Sequence, residues 1–203
     1  MKLYASLTSP YARKIRIMLA EKALPFELIV DSPWDASSAV PANNPLGKVP
    51  VLISDTGEVF FDSPVVAAFI ETLGASPALV PQHPLAAVRV RLTESLADGL
   101  CDAAITALLE SRRAPEVQNT ADIERQLGKV ARALDSLETR LRGKTWFNGD
   151  TLQLGDIAVG IALAYLDFRY SQMPWRDTRP ALTDFAARIH ARQSFIDTIP
   201  PAA

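Results

Sequence analysis

The spacing of apolar and polar positions changes character about two fifths of the way along the chain. Before that point short runs of period two alternate with helical stretches. After it only the helical period remains. Residues 2–6 (Lys-Leu-Tyr-Ala-Ser) predict a strand with Tyr4 turned toward the core, and Pro10 to about Ala23 predict a helix. Tyr11, Ile15, Met18, Leu19 and Lys22 share one face of that helix, apolar apart from the last. Phe26, Leu28 and Val30 alternate with Glu27, Ile29 and Asp31, the pattern of a half-buried strand. Ser32 to Leu46 is rich in Pro, Ser, Asn and Asp and reads as irregular, with room for one helical turn. Val49–Ile53 and Glu58–Phe61 are strands joined by the turn Ser-Asp-Thr-Gly, and a helix from Pro64 to Leu73 stops at Gly74.

The order β-α-β, loop, β-β-α, closed by a right-handed crossover, makes a compact α/β layer over residues 1–76. Residues 77–84 contain Pro77, Pro81 and Pro84 and form the predicted linker. Beyond it, residues 85–203 predict helices alone. Leu85, Val88, Leu92, Leu96 and Leu100 begin a long helix reaching about Glu110, and Leu127, Val130, Leu134, Leu137 and Leu141 line a second. Further helices are expected from about Leu154 to Phe168 and from Ala181 to Arg192. The fold class is therefore α/β followed by all-α.

Composition narrows the function. At 203 residues, with 48% hydrophobic residues and a net charge of -2, the chain reads as an ordinary globular protein. It has no basic excess to attract nucleic acid, and no apolar run near the roughly 18 residues of a membrane span. Its N-terminus goes directly into a strand pattern, unlike a signal peptide, and a single cysteine, Cys101, suits the reducing cytoplasm. His83 and His190 are remote in sequence from any cysteine or paired carboxylate, so no metal site is expected.

Three short motifs carry candidate chemistry. In Lys48-Val49-Pro50 a proline stands at the start of a strand, where its backbone shape matters more than pairing. A cis bond before Pro50 turns the N–H and C=O of Val49 outward, free to pair with an extended peptide. Ser9-Pro10 and Ser63-Pro64 each read as an N-cap serine before proline at the first helical position. Helix N-termini collect unpaired N–H groups and partial positive charge, so they hold anions. One backbone edge and two anion-holding helix ends suit a small acidic peptide such as glutathione.

Thr8-Ser9-Pro10-Tyr11 after the first strand, Asn44 to Pro50, Phe61-Asp62-Ser63-Pro64 and then helices resemble the cytosolic glutathione transferases over essentially the whole chain. With Leu96-Ala97-Asp98-Gly99 the likeness is nearest to the bacterial group called YibF-like. The resemblance implies a thioredoxin-like N-terminal domain that binds glutathione, an all-helical domain that supplies the second-substrate pocket, and a homodimer. It gives Ser9 the place of the catalytic hydroxyl, with Thr8 as the alternative. It assigns Lys48 to the glycyl carboxylate, the Val49 backbone to the cysteinyl residue, Ser63 to the γ-glutamyl carboxylate and Asp62 to the ammonium. Leu7, Tyr11, Leu108, Arg112, Tyr165 and Phe168 become candidates for the pocket of a small hydrophobic electrophile.

Each of these residues also has a plainer reading. Ser9 and Ser63 are good caps, Lys48 a solvated loop lysine, Cys101 a small buried side chain, and Tyr165 and Phe168 core aromatics. The motifs in their order and spacing favour the glutathione reading. Serine at position 9, with no Cys-x-x-Cys, argues against disulfide exchange, which needs an attacking thiolate. Where the family starts its buried sixth helix with Ser or Thr, this chain has Gln153 ahead of Asp156, which predicts a weaker cap. The competing function is a glutathione-binding or protein-interaction module of the same fold without turnover. Isomerisation or dehalogenation would use the same site.

Overall fold

The computed structural model describes residues 1–202, which separate into two compact units. One is Met1–Val80 together with the segment from Arg192 onward, and the other is Pro81–Ala191. The sequence reading assigned that last segment to the helical half. By packing it groups with the first unit.

The first unit is a four-stranded sheet with helices. Strand β1 (Lys2–Ala5) leads through α1 (Pro10–Glu21) to β2 (Glu27–Val30), then a single turn α2 (Val40–Asn43), β3 (Val51–Ile53), β4 (Val59–Phe60) and α3 (Ser63–Thr72). The strand order is β2-β1-β3-β4, with β1 parallel to β2 and antiparallel to β3, and β3 antiparallel to β4. Leu3 and Ala5 are fully buried, whereas Tyr4 on the opposite face is only half-buried, so the core side of β1 is not the one predicted for Tyr4. Strand β2 is an edge, and Val30 stays 60% exposed although its alternation predicted a half-buried face. Ile15, Met18 and Leu19 of α1 and Val66, Ala67 and Ile70 of α3 fill the core where these two helices pack together.

Lys22, the one polar member of the predicted α1 face, is 3% exposed. Its Nζ donates to the carbonyls of Ala75 (2.6 Å) and Pro77 (2.7 Å) and pairs with Glu71 (3.0 Å). The Glu71 carboxylate in turn accepts from the N–H groups of Leu79 and Val80. These bonds tie residues 75–80 to the first unit. Gly74, φ +69°, supplies the left-handed residue that ends α3. The chain end returns as α8 (Gln193–Ile196), which packs on α1.

The second unit is helical: α4 (Pro84–Ser111), a 3₁₀ turn at Pro115–Val117, α5 (Thr120–Leu141), α6 (Leu154–Arg169) and α7 (Pro180–His190). Helix α6 buries nearly every residue, with α4 and α7 packed on it. Only the far end of the apolar stripe that predicts α4 is buried, with Leu100 1% exposed and Leu96 half-buried. Leu85, Val88 and Leu92 are exposed, and Val90, Thr93, Ala97 and Ala104 face the core instead. Helix α7 starts at Pro180 without a side-chain cap from Arg179, and the buried Glu138 of α5 accepts from Leu182 N–H (3.0 Å) in its place. Among the described residues no helix is long and apolar enough to cross a membrane.

Candidate functional site

Ser9 stands at the N-cap of α1 with extended backbone, φ -76° and ψ 123°, ahead of Pro10 in the first turn. Its Oγ accepts from the Ala12 N–H at 3.3 Å, and its carbonyl takes the Arg13 N–H at 3.0 Å. The side chain is half-buried, so its hydroxyl proton remains available to a ligand. Thr8, the alternative hydroxyl, lies 3.3 Å from Ser6 Oγ and is engaged locally. Fold and sequence agree here because Ser-Pro is a strong local signal for a helix start.

The peptide bond before Pro50 is cis, as the reading of Val49-Pro50 expected. Strand β3 begins only at Val51, opposite Tyr4, so Val49 lies outside the ladder. Neither backbone group of Val49 makes a hydrogen bond among the described residues, and this edge is open to an extended ligand. The preceding loop is fixed by Asn44, a residue the sequence analysis did not single out. Asn44 is 1% exposed, donates from Nδ2 to the Lys48 carbonyl (2.8 Å) and accepts on Oδ1 from Leu46 N–H (2.9 Å). Gly47 takes φ +60° within the same loop. The Lys48 ammonium itself is exposed.

At α3 the structure shifts the expected cap by one residue. Ser63 is the first helical residue, and the cap position falls to Asp62, whose exposed carboxylate makes no capping hydrogen bond. Pro64 is then second, not first, because the Asp62 carbonyl already accepts from Val66 N–H (2.9 Å). Ser63 is 2% exposed. The N–H groups of Ser63 and Val65 open the helix with no partner within it. Helix N-termini with unpaired N–H groups favour anions in general.

The six pocket candidates divide between the units. Leu7 and Tyr11 are half-buried in the first. In the second, Tyr165 is 7% exposed, Leu108 and Phe168 are half-buried, and Arg112 caps the end of α4. Burial pushes the Tyr165 phenol above its ordinary value, with Arg169 and Arg112 pulling it down, so the last turns of α4 and α6 share one neighbourhood. Arg169 lies 4.0 Å over the Phe168 ring. Cys101 is buried. His83 caps α4 by accepting from Ala86 N–H (3.4 Å), and His190 Nε2 lies 2.8 Å from the Gly160 carbonyl. Among the described residues no cluster of His, Cys, Asp and Glu is placed to hold a metal.

The start of α6 departs from the expected box in one half only. Asp156 accepts from Gln153 N–H and Phe147 N–H, both at 2.8 Å, whereas Gln153 Oε1 is buried without a partner. The acid carries this cap.

The model for the N-terminal domain of glutathione S-transferases matches residues 8–73, and that for the C-terminal domain matches residues 120–188. An uncharacterized GST-like protein of Escherichia coli strain K12, YibF, is 42% identical over the full length of both chains. A glutathione S-transferase of Methylobacillus flagellatus solved with glutathione bound is 40% identical, with a TM-score of 0.96 over 98% of this chain and 99% of that one. One from Methylobacterium radiotolerans, in complex with glutathione sulfonate, is 38% identical, with a TM-score of 0.95 over 100% and 95%.

Proposed function

The chain belongs to the glutathione S-transferase family, and from that premise we propose that it activates the thiol of glutathione for attack on a small hydrophobic electrophile. The observation that carries this reading is the placing of Ser9, a half-buried hydroxyl on the N-terminus of α1, in the same unit as the unpaired Val49 edge and the buried Ser63 hydroxyl. A free thiol titrates near ~8.5 and is only a few per cent ionised at neutral pH. A hydroxyl donating to sulfur, together with the partial positive charge of the helix end, favours the thiolate. Serine achieves this without ionising.

In this reading the Val49 N–H and C=O pair with the cysteinyl residue of glutathione. The Ser63 hydroxyl and N–H hold the γ-glutamyl carboxylate, Asp62 meets the ammonium, and Lys48 reaches the glycyl carboxylate. Leu7, Tyr11, Leu108, Arg112, Tyr165 and Phe168 contribute to the electrophile site. The enzyme works in the cytoplasm as a homodimer. The exposed stripe Leu85, Val88 and Leu92 supports the dimer, since single chains rarely leave such a row to water.

Ser9→Ala tests the proposal. Turnover of a generic aryl halide should fall while glutathione affinity stays nearly unchanged, because the hydrogen bond favours thiolate over thiol. A spectrophotometric titration should show the thiol pKa of bound glutathione rising by one to two units, since a hydrogen bond to a charged group is worth about 1.5–3 kcal/mol. Wild-type protein that binds glutathione without thiolate absorbance near neutral pH and without turnover is instead a binding module. If Thr8→Ala produces the effect, the hydroxyl assignment moves by one residue.

A further inference from the structure

Helix α1 carries Ser9 at its start and is gripped at both ends by the last segment of the chain. At its C-terminal end Glu21 accepts two hydrogen bonds from Arg192 (2.8 and 2.7 Å) and one from Ser194 Oγ (2.5 Å). These donors hold the Glu21 carboxyl below its ordinary range. In the first turn, Arg13 donates from Nη2 to the Phe195 carbonyl (3.0 Å) and from Nε to Thr198 Oγ1 (3.2 Å), with its guanidinium 5.7 Å over the Phe195 ring. Thr198 Oγ1 in turn donates to the Ser194 carbonyl (2.7 Å).

Arg13 is 6% exposed, and both its acceptors are neutral. It forms no ion pair with a carboxylate among the described residues. Asp197, the acid on the same segment, takes the side chain of Gln193. Burial, with Arg16 close by, lowers Arg13 to about 10 from its ordinary value. A desolvated cation without an anion is a costly way to pack a helix against a tail, and an apolar side chain would do that at less cost. What the guanidinium adds is direction. Two N–H groups in a fixed fork set the rotation and the height of the first turn against the tail. That turn begins with the bond from Arg13 N–H to the Ser9 carbonyl.

We infer that Arg13, anchored on the chain's last segment, is a positioning residue that fixes the Ser9 hydroxyl where it meets the glutathione thiol. This rests on the reading of Ser9 above. No contact between Arg13 and glutathione is required. The tail is then part of the active site's support, although it contributes no group to the chemistry.

The test is the thiol pKa of glutathione bound to Arg13→Lys, which keeps the charge but not the fork, and to Thr198→Val, which removes one acceptor. Arg13→Lys should raise that pKa by about one unit, a tenfold loss of thiolate near neutral pH, with glutathione affinity within about twofold by calorimetry. Thr198→Val should shift it the same way by less, and the double variant should go no further than Arg13→Lys alone. Hydrogen exchange should show the Ala12 amide, capped by Ser9, exchanging faster in each variant. Lowered stability with an unmoved thiol pKa would make Arg13 a packing residue and overturn the inference. If Ser9→Ala also leaves the pKa unmoved, the reading of Ser9 falls and this inference falls with it. If Ser9→Ala shifts it and Arg13→Lys does not, only this inference falls.

Discussion

Asp156 is fully buried in the second unit, and burial raises its carboxyl from 3.8 to about 6, against the pull of the Phe147 and Gln153 N–H groups. Between those two pH values the folded chain holds a proton that the unfolded chain has released. Its contribution to stability is therefore full below the unfolded pKa and lost as pH rises through about 6. Relative to Asp156→Asn, the wild type should lose roughly 2 kcal/mol between pH 4 and pH 7, read from urea midpoints at each pH. A difference that stays flat would mean that the two N–H bonds offset the burial. Ser63 is buried at the N-terminus of α3, whereas Lys48 is exposed. Ser63→Ala should weaken glutathione binding about tenfold and Lys48→Ala only severalfold, because an exposed charge is screened by water. Equal or reversed losses in calorimetry would put the γ-glutamyl anchor elsewhere. The Ser9 cap and the cis bond before Pro50 were legible because each belongs to a short local signal, whereas the cap of α3 fell one residue earlier than Ser63. Asn44 was not legible, since its two bonds to the Lys48 loop appear only when residues 44–48 fold back.

At the scale of elements, periodicity located every helix longer than a turn and all four strands, with boundaries moved by one or two residues except at α5, which starts at Thr120, seven residues before the first apolar position of its stripe. It failed where an element's partner lies far away in sequence. In α4 the sequence stripe was Leu85, Val88, Leu92, Leu96 and Leu100, of which only Leu100 is buried, and the rest of the buried face is marked mainly by small and polar residues such as Thr93, Ala97 and Ala104. The reason is close approach. A Cβ on Gly155 of α6 would lie 2.9 Å from Thr93 Cβ and 3.1 Å from the Val90 carbonyl of α4. Large side chains have no room at that crossing, so hydrophobicity alone does not reveal the contact. Gly155→Ala should therefore cost about 1–3 kcal/mol, as overpacking does, and lower the urea midpoint at unchanged m-value. Wild-type stability in this variant would mean that α6 can move away without loss. The return of α8 onto α1 was equally hidden, because its grip consists of polar bonds from Arg13 and Glu21, which in sequence read as helix-surface charges.

For the whole molecule, the change from mixed to purely helical periodicity was enough to give the α/β and all-α architecture. Leu85, Val88 and Leu92, 53%, 61% and 50% exposed, recur at helical spacing and form one apolar row on the second unit. If the homodimer buries this row, a charge placed within it must be desolvated with no partner, which costs several kcal/mol in an interface of standard size, roughly 800 Å² per protomer. Val88→Glu should then sediment as a monomer at concentrations where the wild type is a dimer, with its helical circular dichroism retained. Leu109→Glu is the control. Leu109 is also exposed, 41%, on the same helix, but the 1.5 Å rise per residue carries it about 25 Å beyond Leu92. It should leave the dimer intact. Monomeric wild type would remove the dimer from the reading, and dissociation by Leu109→Glu alone would move the interface to the other end of α4.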